Sequence, residues 1–358
     1  MVPRLVLHRG LSSPLITGSK QRVELLLGTE FNEPQSDLRA LEVFASFLSS
    51  LDLRLSIEES VTDAIVLSCC GFRGKVGIFE FEVPPPGSYY MRIWTLADAA
   101  TGKHSCGIDG MMLSLITENF LVVGKSERGT HPARRALLCC YRYVVDPLIV
   151  VKEEYGATLG SHIYDSSIVM MRYLKTRLEC SSELSVLDDI ALPHWREGAV
   201  LELGSGCGLL GIWLSTFFKF VHMTDKICQM DLMHGNVELN KSCVAQKCSC
   251  APLEWKDPDR KGLIALEAHL RVVQVPLNLI VAADVFYDTE CAASLFEVLE
   301  ELTSTVAPKA LILMAQKLRC DTVAGSDSLL QFPYLEGKFS WKVLHLERQV
   351  RILQFSRL

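Results

Sequence analysis

Three glycines at alternate positions, Gly204, Gly206 and Gly208, follow a short apolar run in AVLELGSGCGLLGI (199–212). Glycine has no Cβ and accepts positive φ, so this spacing predicts a bare backbone turn at a strand end that a ligand can approach closely. Asp225 lies 21 residues after Gly204, at the end of the next predicted strand, FVHMT (220–224). A carboxylate in that place can accept hydrogen bonds from both hydroxyls of a ribose, whether or not the ligand carries a phosphate. Glu202 adds a second carboxylate at the strand end. It could orient a ligand's ammonium group through water, or simply be solvated. The chemistry these residue types suit is the binding of an adenosine-bearing molecule.

A rival reading uses the same glycines. Residues 206–211 match the dinucleotide fingerprint G-x-G-x-x-G, which keeps an NAD(P)-dependent oxidoreductase open. That fingerprint should begin directly after the strand, yet Gly204 and Ser205 intervene, and Gly211 would then be a packing glycine inside a helix. No second constellation for hydride transfer is visible. Cys243, Cys248 and Cys250 lack the C-x-x-C spacing of zinc sites. His222 and His234 read as structural strand and helix positions, and no metal is expected.

The elements that must position these groups begin near residue 155. Helices are predicted at 165–178, 208–218, 228–240 and near 289–304, and strands at 199–203, 220–224, 277–283 and 310–315. Apolar strands alternating with helices predict an α/β domain with a parallel sheet covered on both faces. SWKVLHL (340–346) and QVRILQF (349–355) form a predicted hairpin that adds antiparallel edge strands. Ligands of such sheets sit at the carboxyl ends of the strands, near the topological switch point. Residues 1–150 read as a β-rich accessory region for substrate recognition, separate from a catalytic domain at 151–358. GKVGIFEFEV (74–83), SYYMRIWTL (88–96) and NFLVVG (119–124) are its predicted strands, and SDLRALEVFASFLSSL (36–51) its predicted helix.

The chain of 358 residues is 49% hydrophobic with a net charge of -6. That charge argues against a broad nucleic-acid footprint and favours a cationic partner. Its 13 cysteines, an odd number with adjacent pairs at 69–70 and 139–140, suit reduced thiols and a cytoplasmic or nuclear setting. No apolar run approaches a membrane span. The first 23 residues carry basic groups and no acid, a faint transit-peptide pattern, but Pro3, Gly10 and Pro14 would interrupt its helix, so an ordinary strand is expected.

LELGSGCGLLGI resembles motif I of the seven-β-strand S-adenosylmethionine-dependent methyltransferases, and more narrowly the methyltransferase-like family 16 protein lysine methyltransferases. LGSHIYDSSIVMMRYL (159–174) resembles the segment preceding that motif, with Tyr164 where the family usually has tryptophan. PLEW (252–255) resembles the family's L-D-W, with Glu254 for aspartate, and AADVFYD (282–288) resembles its D-x-x-Y motif. The resemblance covers about residues 155–358 and implies a Rossmann-like, seven-stranded sheet and S-adenosyl-L-methionine as cofactor. By the same resemblance Gly204, Ser205 and Gly206 would meet the methionine moiety, Asp225 the ribose, Trp255 the adenine and Tyr164 the methionine end. Glu202 would serve the amino group, and Ala283 would present backbone. Asp284 and Tyr287 would form the acceptor site, an acid for a cationic lysine and an aromatic wall for its channel. The implied partner is a protein substrate carrying the lysine, with no membrane or direct nucleic-acid partner and a monomeric enzyme. A catalytically inactive methyltransferase-fold binding protein, and transfer to a small molecule or to histidine, stay open.

Overall fold

The computed structural model describes residues 4–9, 13, 15–28, 34–36, 43–48, 65–73, 76–95, 115–117, 120–123, 126, 139–144, 147–154, 158–179, 196–244, 248–286, 289–318, 335, 337–347 and 349–358. They fall into two compact units, Met1–Thr158 and Leu159–Leu358.

The described strands of the first unit pair antiparallel, except that Leu15–Ile16 runs parallel to Phe120–Val123. One sheet orders Arg4–Arg9, Lys20–Gly28, Val76–Glu82 and Ser68–Arg73, with Pro34–Ser36 also on Lys20–Gly28. The other centres on Gly87–Thr95, which pairs with Val43–Leu48, Leu115–Thr117 and Phe120–Val123. Val76–Glu82 alternates as its sequence predicts: Phe79 and Phe81 are buried and Glu82 is exposed. The predicted helix at 36–51 is overturned. Val43–Leu48 is a strand, with Val43 opposite Thr95 and Leu48 opposite Tyr90. A short apolar segment fits either period, and pairing along a nine-residue neighbour decides for the strand. Residues 37–42 and 49–51 of that prediction lie outside the described residues. Deep in this unit, the Arg142 Nε donates to Glu153 Oε2 at 2.6 Å, with both side chains essentially inaccessible.

The second unit opens with α1 (Asp165–Glu179), followed by β1 (Ala199–Leu203), α2 (Leu209–Leu214), β2 (Phe220–Asp225) and α3 (Met230–Leu239). Then come β3 (Cys248–Pro252), α4 (Lys261–Val273), β4 (Leu277–Ala283), α5 (Thr289–Thr305), β5 (Leu311–Lys317), β6 (Phe339–Glu347) and β7 (Val350–Arg357). The sheet order is β3-β2-β1-β4-β5-β7-β6. The first five of these strands are mutually parallel, and β7 runs antiparallel to both β5 and β6. This is the Rossmann-like sheet with its terminal hairpin. All five residues of β1 are buried, as a central strand covered on both faces requires. The chain leaves β1 for β2 on one side, while β4 lies on the other, so the switch point falls at the carboxyl end of β1.

The α4 helix was not read from the sequence pattern. It buries Leu263, Leu266 and Leu270, positions i, i+3 and i+7, against the same core as Leu295, Leu299 and Leu302 of α5. Each such leucine contributes about 1.5–3 kcal/mol of burial. His222 is a core group: its Nδ1 meets Ser249 Oγ, and its ring stacks on His269 at 4.8 Å. Burial first, and His269 second, push its pKa down to about 4, so it stays neutral. His234 is exposed on α3. Among the described residues the cysteines are free thiols and no cluster suited to a metal occurs. No helix among them is long and apolar enough to cross a membrane.

Candidate active site at the carboxyl ends of the strands

The glycine turn adopts the conformation its sequence demands. Gly204, Gly206 and Gly208 have φ of 71°, 57° and 85°. That left-handed region costs other residues about 1–2 kcal/mol each. The turn is fastened to the end of β2: Gly204 N and Ser205 N both donate to Thr224 O, at 2.9 and 3.0 Å. Thr224 Oγ1 in turn donates to Glu202 O at 2.8 Å. Much of the bareness serves the protein's own packing. A Cβ on Gly204 would come within 2.9 Å of Val285 Cγ1 and 3.4 Å of the Trp255 ring. On Gly206 it would strike Gly160 O at 2.7 Å. Gly211 lies inside α2, and a Cβ there would collide with Met223 and the Glu202 carboxylate. It is a packing glycine, the role the third glycine of the dinucleotide fingerprint also has, so Gly211 does not separate the two readings.

Asp225 closes the turn from below. Its Oδ2 accepts Gly206 N and its Oδ1 accepts Lys226 N, both at 2.7 Å. Burial raises its pKa, while those two backbone bonds pull it back. Each carboxylate oxygen has a second lone pair beyond its one backbone bond. Asp225 does not cap the 3-10 turn Ile227–Gln229, whose capping position is Lys226 and carries no side-chain bond.

Glu202 is not solvated. It is 2% exposed, and its Oε2 has no hydrogen-bond partner. Desolvation lifts its pKa to about 8, the charge of Asp225 adds to the rise, and the nearby Ser205 hydroxyl and Gly211 N–H only moderate it. Trp255 Nε1 is likewise buried without a partner. Two unsatisfied polar atoms therefore lie at the end of β1, in a protein interior where such groups are rare.

Residues 159–164 form a strap over the turn. Gly160 meets Gly206 backbone to backbone, and the Tyr164 hydroxyl donates to Leu159 O at 2.6 Å. Directly after the strap, Asp165 of α1 is buried in an ion pair with Lys317 of β5, at 2.9 Å.

At the end of β4, Ala283 pairs with Ala315 of β5. Asp284 follows with φ of 60°, its N donating to Ala315 O at 2.8 Å. It is 8% exposed, and its Oδ1 accepts Gln316 Nε2 at 3.1 Å. Tyr287 lies outside the described residues. The fold thus gathers Glu202, Gly204, Ser205, Gly206 and Asp225 at one strand end and its neighbour. Trp255 stands against Gly204, and Ala283 and Asp284 lie at the next strand over.

A sequence model of a family described as lysine methyltransferase matches residues 145–328, slightly over half of the chain. The chain belongs to that family. Among curated proteins it is similar to a UPF0665 family protein of Schizosaccharomyces pombe, 28% identical over 155 residues. The match spans 42% of this chain and 41% of that relative's length. Among solved structures it is similar to an rRNA methylase from Streptococcus thermophilus, with 12% identity and a TM-score of 0.31 over 46% of this chain and 88% of that one. It is also similar to a TehB-like SAM-dependent methyltransferase from Corynebacterium glutamicum, with 12% identity and a TM-score of 0.32 over 46% and 82%. Likeness at that level carries no weight here; the fold stands on the strand order above.

The cofactor of this fold is S-adenosylmethionine, and the residues at the strand ends fit that molecule. An adenosine with an amino acid and no phosphate needs close backbone, a ribose acceptor, an aromatic face and a partner for an ammonium. The left-handed turn, the spare lone pairs of Asp225, the half-buried Trp255 and the unpartnered Glu202 Oε2 offer these four.

Two residues of the methyltransferase site went unnoticed in the sequence. Asn236 on α3, fully buried, donates from Nδ2 to Cys207 O at 2.8 Å and so braces the glycine turn from outside. Its signal was a lone amide among the buried Leu232 and Met233. Gln316 was signalled by a polar side chain closing the apolar run LILMA.

Proposed function

We propose that the protein is a protein-lysine N-methyltransferase acting on a non-histone protein. The observation that carries this reading is the placement of a nearly buried carboxylate, Asp284, just past β4 beside the glycine turn. A carboxylate held there suits a cationic acceptor. When bound, the cofactor supplies an electrophilic methyl on a positively charged sulfur that leaves as a neutral thioether. Gly204, Ser205 and Gly206 lie along its methionine moiety, Asp225 takes the ribose hydroxyls, and Trp255 lines the adenine. Glu202 meets the amino group, Tyr164 covers the methionine end, and Ala283 keeps the wall thin.

The residues' remaining task is alignment, which can supply several kcal/mol without acid or base chemistry. A lysine amine, with an ordinary pKa near 10.4, is neutral about once in two thousand at pH 7. Desolvation in a closed site lowers that pKa, and so does a neighbouring positive charge. Loss of the proton to water then suffices. Asp284 positions the amine.

The test incubates the protein with labelled S-adenosylmethionine and a lysate of cells lacking it, then locates the label by mass spectrometry. Label on a lysine of one protein other than a histone is expected. Label confined to a small molecule, to histidine side chains or to histones would overturn the reading.

A further inference from the structure

Gln316 is the sixth residue of the seven-residue β5 and is 5% exposed. A buried amide on a strand whose first five residues are Leu, Ile, Leu, Met and Ala needs partners, and it has an unusual set. Its Oε1 accepts Phe286 N at 3.1 Å. Its Nε2 donates to Phe286 O at 3.2 Å and to Asp284 Oδ1 at 3.1 Å. The Phe286 N–H can only donate, which fixes which end of the amide is oxygen.

One side chain therefore grips both backbone groups of Phe286 and the carboxylate of Asp284. The backbone ladder between β4 and β5 ends at Ala283 and Ala315, apart from the Asp284 N bond to Ala315 O. Gln316 extends that ladder by one step with its side chain. The segment so held contains Asp284 at φ of 60°, a conformation that costs a residue with a Cβ about 1–2 kcal/mol and persists only where its surroundings impose it. Lys317, next along the strand, points to the opposite face and is occupied by Asp165 of α1.

We infer that Gln316 is a positioning residue for methyl transfer: its amide holds the Asp284 carboxylate and the 284–286 turn in the orientation that receives the acceptor amine. The inference rests on the lysine-methyltransferase reading above and adds to it a group that need not touch either substrate.

The test uses the full chain and three variants: Gln316→Met, Asp284→Asn and the two combined. Two quantities are read: affinity for S-adenosylhomocysteine by calorimetry, and the rate at which label passes from S-adenosylmethionine to a lysate of cells lacking the enzyme. Gln316→Met should lower the plateau rate about 100-fold, the usual consequence of misplacing a reacting group by an ångström. It should leave S-adenosylhomocysteine affinity within about twofold. Because Gln316 acts through Asp284, the double variant should be no slower than Asp284→Asn alone.

Transfer by Gln316→Met at the wild-type rate would overturn the role, as would independent, multiplicative losses in the double variant. If Gln316→Met no longer binds S-adenosylhomocysteine, its fold is damaged and Gln316→Glu carries the test in its place. That change keeps side-chain length opposite Arg351 of β7, replaces the Nε2 donor by an acceptor and sets a second carboxylate against Asp284, so the grip is lost and transfer should again fall. Absence of lysine label from the wild-type lane overturns the functional reading itself, an outcome distinct from equal rates in wild type and variant.

Discussion

Two buried carboxyl groups, one in each unit, are treated in opposite ways. In the first, Arg142 and Glu153 lie inaccessible between neighbouring strands and meet at 2.6 Å, charge against charge. In the second, Glu202 is as deeply buried at the end of β1, with Oε2 unpartnered and its pKa lifted to about 8. A scaffold satisfies the charges it buries, because an uncompensated one costs several kcal/mol. A binding site can leave a polar group wanting, since the ligand completes it. Orphaned atoms at Glu202 and Trp255 sit beside the glycine turn, where a ligand can complete them.

The largest effect should come from breaking the satisfied pair. Arg142→Ala strands the Glu153 carboxylate and should cost about 3–5 kcal/mol in urea unfolding, while replacing both residues by methionine and leucine should recover most of it. A small loss for the single change would mean that Arg142 is no better satisfied than Glu202.

Next is Asp225→Ala. It removes the proposed ribose acceptor, and S-adenosylhomocysteine affinity should fall by about 2–3 kcal/mol, roughly 30- to 150-fold, by calorimetry. NADH should not raise the melting temperature of either form.

Gly206→Ala forces a side chain into a left-handed position with Gly160 O at 2.7 Å. A stability loss of about 2–3 kcal/mol is expected in thermal or urea unfolding, with weaker S-adenosylhomocysteine binding.

Glu202→Gln should give the smallest change and the most telling one. A carboxyl whose folded pKa exceeds its unfolded value near 4.5 binds more protons in the folded state. Wild-type stability therefore falls as pH rises from about 4.5 to about 8 and then levels. The variant should be more stable by about 1–2 kcal/mol at pH 9 and little different at pH 5, in melts run across that range. Wild-type binding of S-adenosylhomocysteine at pH 7 should release up to about 0.9 proton, seen as a buffer-dependent heat, as the ligand's ammonium pulls that pKa down. Equal pH profiles for variant and wild type would erase the contrast between the units.

What could be read in the sequence follows how local the cause was. The strand Leu277–Ala283 was legible residue for residue, because a run of seven residues, apolar except for Asn278, bounded by turns leaves little else to form. The glycine turn and Asp225 were legible because a left-handed backbone and a strand-end acid are each tied to residue type. The strand Val43–Leu48 was not, because pairing with Gly87–Thr95 chose between two admissible periods. The α4 helix hid behind a start at Arg260 with φ of 52° and no capping side chain of its own. The Asp257 carboxylate accepts Lys261 N from four residues upstream instead. Gln316 and Asn236 were illegible as site residues because their partners, Asp284 and Cys207, lie 32 and 29 residues away in sequence.

The strap over the glycine turn has one more consequence. Gly160 is pinned against the Gly206 backbone, and Asp165 is locked by Lys317, so the intervening four residues are tied at both ends. Such a tether is gauged by its span. One inserted residue would have to bulge and carry Tyr164 off the Leu159 carbonyl, whereas exchanges that keep the count leave both moorings in place. Length, more than the chemistry of each position, is what this stretch must keep when the enzyme drifts or is redesigned.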